Sequence, residues 1–157
     1  GLTGGGTSGS VTLTLGVDDS TIEINSDAAR IKDLGVTTDK LAADSVTSPK
    51  VGNEFTTSSA LGSSATENIN WTSAQIFTLT PSQSTTLNVT NPVIGVQKTF
   101  IITGSGNSYT VALNVGGAAG TFNKISGDYD DTAATKNLYS VLCVSATEFW
   151  YSIIQPA

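Results

Sequence analysis

The sequence predicts an all-β protein, with an extended shaft of short repeats followed by a small antiparallel β-sandwich or jelly-roll-like domain. Three observations lead there. First, charged residues make up 13% of the 157, about half of the usual share of roughly a quarter. Gly, Ser, Thr and Asn take their place, and short hydroxylated or β-branched side chains suit strands and turns better than helices. Second, no stretch carries a sustained 3.6-residue apolar stripe, whereas many short stretches alternate with a period of two. Third, composition changes near residue 66. Of 11 aromatic residues only Phe55 precedes that point, whereas 12 of the 20 charged residues do. The division is therefore drawn at 1–66 and 67–157. The back part has the aromatic side chains to build a core, and the front part, as a single chain, does not.

The front part opens with the glycine-rich stretch Gly1 to Ser10, read as a turn or flexible lead-in. Val11, Leu13 and Leu15 then alternate with Thr12 and Thr14 as a half-buried strand, and Thr21 to Asn25 repeats the pattern briefly. A basic residue precedes an aliphatic one at a spacing of ten: Arg30-Ile31, Lys40-Leu41 and Lys50-Val51. The matches Val36-Thr37-Thr38-Asp39-Lys40-Leu41 and Val46-Thr47-Ser48-Pro49-Lys50-Val51 carry helix-start chemistry. Each repeat reads as a short extended piece and about one turn of helix, ending at Gly35, Asp44-Ser45 or Gly52. Such units bury little alone and gain stability from neighbours. With three repeats visible, those neighbours are other chains, met by Ile31, Val36, Leu41, Val46 and Val51. A disordered linker is the alternative, but it has no use for aliphatics at fixed spacing.

The back part reads as successive strands around Asn68–Trp71, Ile76–Thr80, Thr85–Thr90, Thr99–Ile102, Tyr109–Val115, Tyr139–Val144 and Phe149–Ile154. Turn signals separate them at Pro81-Ser82, Asn91-Pro92, Gly104–Asn107 and Ser145–Glu148. The last two strands are apolar on both faces and predict a central, doubly covered hairpin. Any part of its outer face that misses its own chain would meet another copy.

Chemistry is sparse. With no histidine, imidazole-based triads and histidine metal sites are excluded. A net charge of -6 with seven basic residues lacks a phosphate-binding footprint, so nucleic acid is not an expected partner. No apolar run approaches the ~20 residues of a membrane span. Cys143 lies in an apolar run and is read as a buried small hydrophobe. A fold without disulfides suits synthesis in a reducing cytoplasm. Asp128, Tyr129, Asp130 and Asp131 form the one dense acidic group of the back part. They are read as a solvated turn, with calcium or sugar contact as the functional alternatives. Asp18-Asp19 is read as a turn. Asn88-Val89-Thr90 fits the glycosylation triplet, but nothing marks the chain as secreted. Trp71, Tyr109, Tyr129 and Tyr151 are candidates for stacking on sugar rings, with Tyr129 the best placed for exposure. Phe149 and Trp150 are read as core or subunit-interface residues. No catalytic residue, cofactor or metal ligand is assigned.

The front residues, Gly1 to Leu13 and Val36 to Thr47, resemble the shafts of tailed-phage fibre proteins. The back half is similar to small β-domains at fibre ends, through Ile69-Asn70-Trp71, the strand Gln75 to Thr80, Asn91-Pro92 with Gly95, and the aromatic strand Phe149 to Ser152. The resemblance implies a parallel homotrimer and a non-catalytic virion component on tail or capsid surface. It implies attachment to other virion proteins from the N-terminal side, and a C-terminal knob facing a host-surface glycan or protein. A capsid decoration or head-fibre protein is the runner-up. A polysaccharide depolymerase and a carbohydrate-binding module stand behind it.

Overall fold

Contacts divide the computed structural model into two units, Gly1–Thr47 and Ser48–Ala157. It describes every residue except 1, 12, 27, 48, 49, 117–119 and 157, with the backbone alone at 2 and 13. The protein is nearly all-β.

The first unit holds two separate hairpins. Strand β1 (Leu2–Gly4) pairs antiparallel with β2 (Leu13–Leu15), so part of the glycine-rich opening is a strand and not a free lead-in. Strand β3 (Ile22–Asn25) pairs antiparallel with β4 (Ala28–Ile31). Its cross-strand partners sort by chemistry. Ile22 faces Ile31 and Ile24 faces Ala29, while Glu23 faces Arg30 on the other side, where the two ion-pair at 2.6 Å. The turn before β3 is held by the Asp18 carboxylate, which accepts from the backbone N–H groups of Ser20, Thr21 and Ile22, as the Asp18-Asp19 turn reading requires. A single helical turn at Thr38–Lys40 lies where the repeat predicts one, and the Lys40 ammonium donates to the Gly35 carbonyl at 3.0 Å. Arg30-Ile31, by contrast, sits on a strand. The Ser48-Pro49 helix start and the Leu13 side chain lie outside the described residues. The predicted half-burial of the alternating strand does not hold at its described ends, since Val11 is 44% and Leu15 39% exposed.

The second unit has a different architecture from the predicted antiparallel sandwich. Its strands are β5 (Ser58–Ala60), β6 (Thr66–Asn70), β7 (Ile76–Leu79), β8 (Thr85–Thr90), β9 (Gln97–Thr103), β10 (Val111–Val115), β11 (Thr121–Ser126), β12 (Lys136–Cys143) and β13 (Glu148–Ile154). From β5 to β11, successive strands alternate between two sheets and stack as coils, in the manner of a β-solenoid. One sheet runs β10-β8-β6 and the other β11-β13-β12-β9-β7-β5. Ser58 pairs with Ile76 and Thr66 with Thr86, roughly twenty residues apart, at the low end for solenoid repeats. The pairs β5–β7, β7–β9, β6–β8 and β8–β10 are all parallel. The signals at Pro81-Ser82, Asn91-Pro92 and Gly104–Asn107 are real turns. They form corners between sheets and not hairpin loops within one, which is why the direction came out wrong.

Only β12 breaks the parallel run. It pairs antiparallel with β9 on one side and with β13 on the other. The hairpin β12–β13 and its turn at Ser145–Glu148 fall where the alternation predicts, and the hairpin is central. It is covered on one face only. Asn137, Tyr139, Val141 and Cys143 are buried, whereas Leu138, Leu142, Trp150 and Ile154 are 37–59% exposed.

The core lies between the sheets. Ile69, Leu87, Val89 and Val115 pack against Phe77, Leu79, Phe100, Ile102, Tyr139, Val141, Phe149 and Ile153. Trp71, at the corner after β6, meets Phe149 edge-on at 5.4 Å and Phe100 at 6.2 Å. A short helix α1 (Asn53–Thr56) begins after Gly52, so Gly52 starts a helix and does not end one. The fully buried Lys98 pins α1 to the sheet. Its ammonium donates to the Glu54 carbonyl and lies 5.5 Å from the Phe55 ring centroid. Burial lowers the Lys98 pKa, and Glu54 opposes that shift. These ties, together with β5, place residues 50–66 with the second unit. The compositional boundary at 66 therefore falls inside that unit. The stretch carries one aromatic, Phe55, and supplies backbone for the first coil.

Candidate functional site

The acidic group on the turn between β11 and β12 is brought together, but its oxygens are already in use. Asp131 reaches back to the loop between β9 and β10. It accepts from the Ser105 N–H at 2.8 Å, the Ser105 hydroxyl at 2.9 Å, the Asn107 N–H at 3.1 Å, the Tyr109 N–H at 2.9 Å and the Tyr129 hydroxyl at 2.7 Å. Burial alone would raise the Asp131 pKa. The donors from Ser105, Tyr129 and Tyr109 outweigh it and hold the carboxyl well below the usual range. A carboxylate filled by five donors of its own chain has little capacity left for a cation.

Its neighbours are occupied in the same way. Asp130 accepts from the Thr132 N–H, and its backbone exchanges bonds with the buried Asn137 amide. Asn137 also accepts from Gln155 at 2.8 Å, which ties the C-terminal end to this turn. Asp128 is exposed and ion-paired with Lys124. Tyr129 is not the exposed platform its acidic neighbours suggest. Its ring is half-buried against the core, and burial together with the Asp131 contact raises its hydroxyl pKa. Among the described residues, no group of three or more carboxylate or thiol side chains is placed to hold a metal.

The other candidates also resolve into structure. Cys143 is fully buried, and burial raises its thiol pKa. Trp71 is core, and Tyr151 stacks on Tyr139 at 6.2 Å. Trp150, assigned from sequence to core or interface, is not in the core of its own chain. It stands 44% exposed on the outer sheet face, its indole N–H donating to Glu148 at 3.0 Å. Of the predicted interface residues, Ile31, Val36, Leu41 and Val46 are 45–61% exposed. Val51 is half-buried and belongs to the second unit.

One constellation escaped the sequence reading. On the outer face of the three-stranded sheet, Asn68, Asn88 and Asn114 stand in register. The Asn88 amide donates to Asn68 at 2.8 Å, and Asn114 donates to Asn88 at 3.3 Å. The signal was there. Asn68-Ile69, Asn88-Val89 and Asn114-Val115 each put an amide before an inward aliphatic, at unequal intervals. Replacing Asn88 by alanine is expected to cost about 1–2 kcal/mol, near twice the loss for Asn114→Ala, because it breaks two bonds and not one. Urea unfolding of both variants checks the ratio, and equal losses would mean that the amides act independently.

No family model matches the chain, and no curated protein or solved structure matches it either.

Proposed function

We propose that the chain is a non-catalytic structural subunit of a homo-oligomeric fibre, working at a virion surface. One observation carries the oligomer. The hairpin β3–β4 is amphipathic, and its apolar side is bare. Ile22, Ile24 and Ile31 are 43–61% exposed, and Leu34 nearby is 94% exposed. Among the described residues of the first unit, only Gly35 is buried. A lone two-stranded hairpin is marginal at best, and each fully buried isoleucine contributes about 1.5–3 kcal/mol. Neighbouring copies supply that burial.

The setting comes from the resemblance to phage fibres, which supports three copies in parallel, mounting from the N-terminal side on tail or capsid, and a second unit turned to the host surface. The internally satisfied acidic turn favours a structural role over an enzyme or a sugar-binding module.

Sedimentation equilibrium of the full chain tests this, with three times the chain mass expected. Ile24→Asp is expected to weaken assembly at least tenfold, or about 1.4 kcal/mol. The second unit should stay folded, read by the buried Trp71. A wild-type monomer at tens of micromolar overturns the proposal.

A further inference from the structure

We propose that the outward face of the six-stranded sheet packs against the same face of other copies of this chain. This rests on the oligomer proposed above and adds the surface through which the second unit takes part. Ile101, Leu138 and Ile154 stand directly opposite one another across β9, β12 and β13. Leu142 and Trp150 form a second pair in register. Leu138 is 38%, Leu142 37%, Trp150 44% and Ile154 59% exposed. Beside the first row lies a hollow of about 460 Å³ lined by Ile101, Leu138, Ile154 and Pro156, with Lys136 and Gln155 at its polar side.

Charge selects the occupant. The outward positions of β9, β12 and β13 carry two charges, Lys136 and Glu148, of opposite sign and at opposite ends of the hairpin. Each is satisfied within its own chain. The Lys136 ammonium donates to the Thr103 hydroxyl at 2.7 Å, and Glu148 accepts from Trp150 at 3.0 Å and Asn123 at 3.1 Å. Covering the middle of the face therefore leaves both charges at its ends, each keeping a hydrogen bond of its own chain. A charged foreign partner finds no counter-charge there, whereas a copy presents the same uncharged apolar middle.

Area sets the scale. Six strands about 4.8 Å apart and three to eight residues long span on the order of 550 Å², against about 800 Å² per partner for a stable interface. The shortfall is about a third, and assembly through the first unit offsets it by tethering the second units at a millimolar effective concentration.

The two tryptophans read this directly in the unmodified full chain. Trp71 is fully buried, so acrylamide-accessible emission reports Trp150. On raising the concentration through the assembly range, quenching of that emission is expected to fall at least threefold. L142D, which puts a carboxylate opposite Trp150, is expected to restore the quenching. The wild-type titration needs no variant, so a misfolded L142D leaves the test standing. If mass rises while Trp150 stays fully quenchable, this face is not the interface and the oligomer survives. If mass does not rise, both readings fall.

Discussion

Replacing Trp71 by alanine is expected to lower the stability of the second unit by about 3–5 kcal/mol, the usual range for deleting a large core aromatic. The indole is 0% exposed and stands at the corner where the chain leaves the three-stranded sheet. Its N–H donates to the core no bond that alanine would forfeit. The loss is therefore one of packing against Phe100 and Phe149, which bridges β9 to β13 across the antiparallel β12. Urea unfolding followed by circular dichroism gives the value. Trp71→Phe is expected to recover most of it, since an aromatic ring keeps the edge-on contacts. A loss below about 1 kcal/mol for the alanine variant would mean that the two sheets are not held together at this corner.

Asp131→Ala is expected to cost about 2–4 kcal/mol. It leaves the Ser105 and Tyr109 N–H groups and a half-buried tyrosine hydroxyl without the carboxylate acceptor, and charge-assisted bonds are the strong ones. Asp131→Asn is expected to recover little. The amide replaces one accepting oxygen with a donor that faces other donors. The same residue gives the wild type a pH signature. Its folded pKa lies below the unfolded value of ~3.9, so the unfolded state binds the proton first. Its contribution is full at neutral pH and down to the unfolded carboxylate range. Below that it is lost, as pH falls through the folded value. Stability measured from pH 6 to pH 2 should therefore fall less steeply in Asp131→Ala than in the wild type. Parallel slopes would remove Asp131 from its assigned role.

Most strands of the second unit were legible in the sequence, because a period of two marks a half-buried strand whatever its neighbours do, but β5 and β11 were not. Strand direction was not. Parallel and antiparallel pairing impose the same alternation on Thr85–Thr90 or Val111–Val115, so Asn91-Pro92 read equally well as a hairpin loop or a corner. Asp131 was legible as a residue worth naming. Its partners at Ser105, Asn107 and Tyr109 were not, because nothing local to the turn signals a loop more than twenty residues upstream. The aliphatic spacing of the first unit did mark side chains that stay uncovered, such as Ile31 and Val46. The amide ladder was missed because its rungs come at unequal intervals, and a fixed-period search passes over them.

Strand β12 runs against its neighbour β9, and that reversal separates two properties of the chain. The parallel stacking belongs to β5 through β10, which circuit the two sheets. The reversal comes after them, at the single strand whose two neighbours, β9 and β13, both run against it. A coil inserted before β9 would therefore leave both antiparallel pairings of β12 unchanged.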